Sequence, residues 1–319
     1  AEFSIADEEN LTGSIPSEIG LMTKLSFLQL ASTGMGGTVP RSLNALTALE
    51  TFSLPDNHFT GTVPELLGLS GSLEIVFLQS NDFEGTLPVL EPEYQLNSEG
   101  LFEDTSLPPL RPRNKLLFLV VSGNPKITGT LPPTFYLQPD LEWVSIAGTG
   151  MGGTISPQVS SLSNMEFFDI EGANFSGSIP SSFGNLDRLI ELKLGNNALT
   201  GTLPSNLGQL DRLKEFRVEG NSLRGTIPDE LGGCRDIEIF SVHGNSQLRG
   251  SIPFGFAEEL KSLYELSIQG TNIRSGLNET YCLLLPEDLV NTTISADCGG
   301  DEPKIPCDCC HYCCVDGED

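Results

Sequence analysis

Apolar positions along the chain follow two interleaved rhythms. A short alternating run, such as Leu189, Leu192 and Leu194, is followed by Asn197, Leu199, Gly201, Leu203, Pro204, Leu207 and Leu210. Alternation around Leu192 and Leu194 puts both side chains on one face and Lys193 on the other, which describes a half-buried strand. Asn197 marks the turn that ends it. Pro204 prevents any regular ladder from continuing, and the segment after it is predicted to form a helical turn on the opposite side.

The unit repeats. A tetrad of Gly, then Ser or Thr, then an aliphatic residue, then usually Pro begins at Gly13, Gly37, Gly61, Gly85, Gly129, Gly153, Gly177, Gly201, Gly225 and Gly250. The spacing is 24 residues, apart from a step of 44 after Gly85 and one of 25 before Gly250. The one tetrad that lacks a final Pro has Ser156 there, with Pro157 one position late. A single unit cannot bury its aliphatic face, so each coil must be covered by the coils above and below it. Asn57, Asn81, Asn124, Asn197, Asn221 and Asn245 hold the turn position, where an amide side chain can bond backbone groups of neighbouring coils. Thr33, Thr149 and Thr271 put a hydroxyl there, and Ala173 has neither group. Strands centred on Ile5, Leu30, Leu54, Leu78, Val121, Ile146, Ile170, Leu194, Val218, Val242 and Ile268 predict eleven coils over residues 1–276, with a Cys-rich cap or tail at 277–319.

The L-x-x-L-x-L-x-x-N-x-L spacing and the G-[ST]-[ILV]-P tetrad resemble the plant-type leucine-rich-repeat family over about residues 3–276. Secreted proteins of diatom-like algae look especially similar, since they too end in a Cys-rich tail. The resemblance implies an α/β repeat. It would be a right-handed, curved solenoid with a parallel sheet on its concave face and a second strand near each Gly-Thr segment. The family's usual N-terminal cap carries a Cys pair, whereas no Cys precedes Cys234 here. The expectation is therefore a chain that begins inside a longer protein, or a first coil capped by Asp7, Glu8 and Glu9. Ala1-Glu2-Phe3 has the look of a vector-encoded segment, although Phe3 also fits the repeat. The long step carries about 20 extra residues near 91–113, similar in position to the island insertions of some plant receptor ectodomains. It is either a specificity element or a tolerated convex loop.

Outward strand positions form columns across the coils. The first half of the chain puts Phe27, Ile75, Phe77, Phe118, Trp143 and Phe167 there; the second puts Asp169, Glu171, Glu191, Lys193, Glu215, Arg217 and Glu219. An exposed aromatic stripe beside a charged patch is how peptide- and glycan-binding surfaces are built. The alternative is that the rings pack on one another and the charges pair across the ladder.

Composition narrows the chemistry. A formal net charge of −26 disfavours nucleic acid and anionic membranes as partners, and no apolar run is long enough to predict a membrane-spanning helix. Aromatics make up 7% of residues, which suits a core of stacked aliphatic side chains. Cys282, Cys298, Cys307, Cys309, Cys310, Cys313 and Cys314 crowd the tail, predicting a disulfide-stapled cap in an oxidising compartment. A zinc site with His311 is the rival reading. Family members often carry a buried free Cys where Cys234 stands. That would leave seven thiols and one unpaired sulfur, able to form an intermolecular disulfide. Sequons at Asn10, Asn174, Asn278 and Asn291 point to secretion and glycosylation. His58, His243 and His311 lack triad partners at recognisable spacing, and nothing implies a cofactor, a metal or an enzyme. The expected function is an extracellular recognition module, a receptor-type ectodomain or secreted protein, that binds a protein, peptide or glycan through the concave face. A structural cell-wall or adhesion protein, an enzyme inhibitor, and an ice-binding protein using the tetrad hydroxyls are the alternatives.

Overall fold

The computed structural model describes residues 1–90, 115–253, 256 and 262–275, together with the strand backbones at 293–296 and 312–313. The insertion near 91–113, Asn278, Asn291, His311 and the side chains of the seven tail cysteines lie outside the described residues. The chain divides into two compact units, Ala1–Gly152 and Gly153–Asp319.

Both units are stacks of coils in a solenoid, as expected from the repeat. In the first unit the strands Glu2–Ala6, Phe27–Ala31, Thr51–Ser53, Ile75–Phe77, Phe118–Val120 and Trp143–Ser145 pair in parallel, each with the next. In the second unit Phe167–Asp169, Glu191–Lys193, Glu215–Arg217, Ile239–Ser241 and Glu265–Ser267 do the same. Thr293–Ala296 and Tyr312–Cys313 extend that ladder further. Second strands form around the tetrads, such as His58–Thr62 beside Asp82–Thr86 and Asn174–Ser178 beside Ala198–Thr200.

The tetrad explains itself locally. Gly61 has φ +79°, and a Cβ there would lie 2.9 Å from the Thr38 methyl of the preceding coil. Only glycine meets both demands. The proline that follows starts a helical turn, and among the described residues these turns are 3-10 except for a four-residue α-helix at Leu66–Leu69 and the α-helical Phe256. Ser156 does the same task differently: its hydroxyl accepts from the Gln158 amide at 3.2 Å, with Pro157 in the first turn. Successive turns stack so closely that a Cβ on Gly208 would sit 1.9 Å from the Glu230 carbonyl oxygen.

The turn asparagines join neighbouring coils. Asn245 Nδ2 donates to the Val242 and His243 carbonyls of its own coil, at 2.9 and 3.3 Å, and to Val218 of the coil before, at 2.9 Å. Its Oδ1 accepts from the Leu223 amide at 2.9 Å. Asn221 repeats the pattern one coil earlier. Thr149 and Thr271 satisfy only their own coil, donating to Ile146 and Ile268 at 2.7 Å. Where Ala173 offers nothing, Asn197 of the next coil still accepts from the Phe175 amide at 2.9 Å.

Between strands and turns lies the core, and here composition misleads. Leu192, Leu194 and their equivalents are fully buried, yet among the described residues the largest fully buried side chains are ten phenylalanines. Several of them make ring contacts within each unit: Phe59 stacks on Phe83 at 6.4 Å, and Phe240 meets Phe216 at 5.5 Å and Phe256 at 5.2 Å. A low total of aromatics does not exclude aromatic stacks when the repeat delivers them to equivalent positions in consecutive coils. Cys234 is likewise buried and unpaired, its thiol donating to the Leu207 carbonyl at 3.1 Å. Burial pushes its pKa up to about 12.

Candidate functional site

The strand face of the second unit carries the charged positions. Parallel register puts Glu191 beside Glu215 and Lys193 beside Arg217, and adjacent like charges repel. The conflict is resolved by crossing pairs. Lys193 Nζ donates to Glu191 Oε2 at 2.6 Å and lies 3.0 Å from Glu215 Oε2. Arg217 Nε donates to the other oxygen of Glu215, and its guanidinium lies 3.5 Å from Glu265. These side chains are only 16–31% exposed. Burial pulls the Lys193 pKa down, but hydrogen bonds and charge from Glu191 and Glu215 more than offset it, so the net shift is upward. Arg217 is raised by the same balance, with Glu215, Glu265 and Glu219 contributing.

Other expected members of this patch find separate partners. Asp169 Oδ1 accepts from the Glu171 amide at 3.0 Å, and Glu171 Oε1 accepts from Asn196 Nδ2 at 3.2 Å. Phe167 pairs in register with Glu191. Glu265 enters the network through Arg217. Glu219 is 4% exposed, and its Oε2 has no hydrogen-bond partner.

On the strand face of the first unit the apolar column resolves into a cluster. Phe118 pairs in register with Ile75 on one side and Trp143 on the other. Its ring lies 6.4 Å from Phe77 and 6.3 Å edge-on from Trp143. Trp143 is 39% exposed, and the rest of the cluster is half-buried. Phe27 stands apart, because Thr51 separates it from Ile75. Val120, paired in register with Phe77 and Ser145, is buried.

The remaining candidates lie elsewhere. Asn10 and Asn174 are exposed, and Asn174 opens a strand of the second sheet. The tetrad hydroxyls, Ser14, Thr38, Thr62, Thr86 and Thr130 in the first unit and Thr154, Ser178, Thr202, Thr226 and Ser251 in the second, are all exposed. A shallow cavity of about 250 Å³ lies among Thr38, Pro40, Arg41, Thr62, Pro64 and Glu65, away from the strand face. No group of His, Cys, Asp and Glu among the described residues could hold a metal ion, and no described helix is long and apolar enough to cross a membrane.

Three consecutive units, residues 164–186, 188–210 and 212–234, match the Leucine Rich Repeat family. No curated protein sequence matches the chain. Solved structures do. The plant peptide hormone receptor RGFR1, in complex with RGF2, is 26% identical with a TM-score of 0.76, over 92% of this chain and 46% of that one. A TDR receptor is 28% identical with a TM-score of 0.77, again over 92% and 46%. A plant ice-binding protein is 26% identical with a TM-score of 0.54, over 71% and 66%. The chain thus spans about half the length of the two receptors.

Proposed function

We propose that this chain, a plant-type leucine-rich-repeat protein, is an extracellular recognition module that binds a peptide or protein ligand through its strand face. The observation that carries the proposal is the Phe77–Phe118–Trp143 cluster, packed ring on ring with the indole 39% exposed. Rigid, half-exposed aromatic anchors supply most of the binding energy at protein interfaces. Similarity to a peptide hormone receptor in complex with its ligand supports the same reading. Binding, not catalysis, is the activity proposed: Glu191, Lys193, Glu215 and Arg217 are engaged in ion pairs and Asp169 in a hydrogen bond from the Glu171 amide.

Selecting peptides from a displayed library on the wild-type protein tests this. Combined Trp143→Ala and Phe118→Ala changes are expected to weaken the selected peptides by about 100-fold, the size of a hot-spot loss, with the melting temperature nearly unchanged. Peptides that bind the variant equally well would sink the proposal. Unfolding of the variant would assign the cluster to the core.

A second reading rests on a different face. The tetrad hydroxyls are exposed in both units, and a plant ice-binding protein is among the similar structures. Ice recrystallisation assays decide it: inhibition lost on Thr62→Tyr supports it, and no inhibition by the wild type removes it.

A further inference from the structure

We infer that Glu219 and the carboxylates around it form a subsite for the cationic side chain of a peptide, an arginine or a lysine. The inference rests on the strand face being a ligand surface and adds the charge of the ligand. Four carboxylates, Glu191, Glu215, Glu219 and Glu265, share this part of the second unit with two cations, Lys193 and Arg217. Both cations are engaged within the network: Lys193 lies between Glu191 and Glu215, and Arg217 between Glu215 and Glu265. An anionic ligand would have to break those pairs. A cationic one meets a surface with negative charge to spare.

Glu219 is the independent observation. It stands two residues beyond Arg217 on the same face, 4% exposed, with Oε2 enclosed and without a donor. Gly195 of the preceding coil makes the space for it, since a Cβ there would lie 2.8 Å from Glu219 Oε1. A buried carboxylate oxygen without a donor is costly. A guanidinium or ammonium group supplies both the missing donor and the opposite charge, in a charge-assisted hydrogen bond. Docking would require Glu219 to turn Oε2 towards the face about its side-chain torsions. The net charge of −26 steers cations to the whole molecule; Glu219 would fix where one of them docks.

The test is a titration of the full chain by NMR with the capped tripeptide acetyl-Gly-Arg-Gly-amide, with citrulline and glutamate replacing arginine as controls. The arginine peptide is expected to bind and both controls to fail. Glu219→Gln should weaken binding about tenfold while raising the melting temperature, because Oε2 is a buried oxygen without a hydrogen-bond donor and Arg217 attracts it only through space. Several outcomes would overturn the assignment: no binding by the wild type, equal binding by Glu219→Gln, or a lowered melting temperature, which would make Glu219 a structural partner of Arg217. So would calcium chloride displacing the peptide at matched ionic strength, since the site would then take a metal ion. Failure here is separable from failure of the wider reading. Library-selected peptides that depend on Trp143 without any binding of the arginine probe defeat the subsite alone. An arginine probe that binds while the selected peptides ignore the Trp143 and Phe118 changes defeats the aromatic anchor alone.

Discussion

Asn245 is fully buried, and its amide makes four hydrogen bonds to backbone groups of two coils. Asn245→Ala strips those groups of their partner in a place water does not reach, at about 1–3 kcal/mol for a buried group left unsatisfied. A drop of about 2–4 kcal/mol in urea-unfolding stability is expected. A change below about 0.5 kcal/mol would mean that the turn amides find other partners. Cys234 makes a different residue-level prediction. Its folded pKa is raised to about 12, above the ordinary thiol value of about 8.5. The contribution to stability is therefore fully present below about pH 8.5 and is lost as pH rises towards 12, because the unfolded chain ionises first. Stability measured against Cys234→Ala should show a relative decline over that window. Native protein at pH 8 should leave the thiol unlabelled by a disulfide reagent, and unfolded protein should not.

At the scale of the element, the strand Glu215–Arg217 pairs with Glu191–Lys193 on one side and with the uncharged Ile239–Ser241 on the other. Glu215 holds Lys193 with one oxygen and Arg217 with the other. Glu215→Gln leaves two adjacent cations sharing a neutral amide. A loss of about 1–2 kcal/mol is expected, above the range for an isolated surface pair because the charges form a network. That loss should shrink in 1 M salt, where the Debye length is about 3 Å. A loss independent of salt would show that packing, not charge, holds the strand. This network was legible as opposite signs in two neighbouring columns, since residues 24 apart become neighbours wherever the spacing is regular. Which oxygen meets which cation was not legible, because that depends on rotamers chosen by side chains on three strands. The phenylalanine stacks were missed for a related reason. Composition counts rings, whereas packing depends on equivalent positions in consecutive coils.

For the whole molecule, the charge of −26 makes non-specific attraction to any polycation an expected background at low salt. At about 0.15 M salt, where screening acts over about 8 Å, polylysine binding should fall steeply. Any recognition that depends on an enclosed group such as Glu219 should fall much less. Comparing the two salt slopes by calorimetry checks this, and equal slopes would reduce the cation preference to net charge.

The tetrad and the apolar alternation by themselves determined the coil, its short strand and the place of each turn. Each of these follows from local sterics: a glycine at positive φ, a proline that ends a ladder, side chains alternating across a strand. Only the tertiary structure decided that Thr51 sets Phe27 apart from the aromatic cluster, that Lys193 and Arg217 are held by glutamates, and that Glu219 is enclosed beside Gly195. Those outcomes turn on which side chain from a neighbouring coil fills a given space. Local patterning sets the direction a side chain leaves the backbone, and only packing sets what it meets.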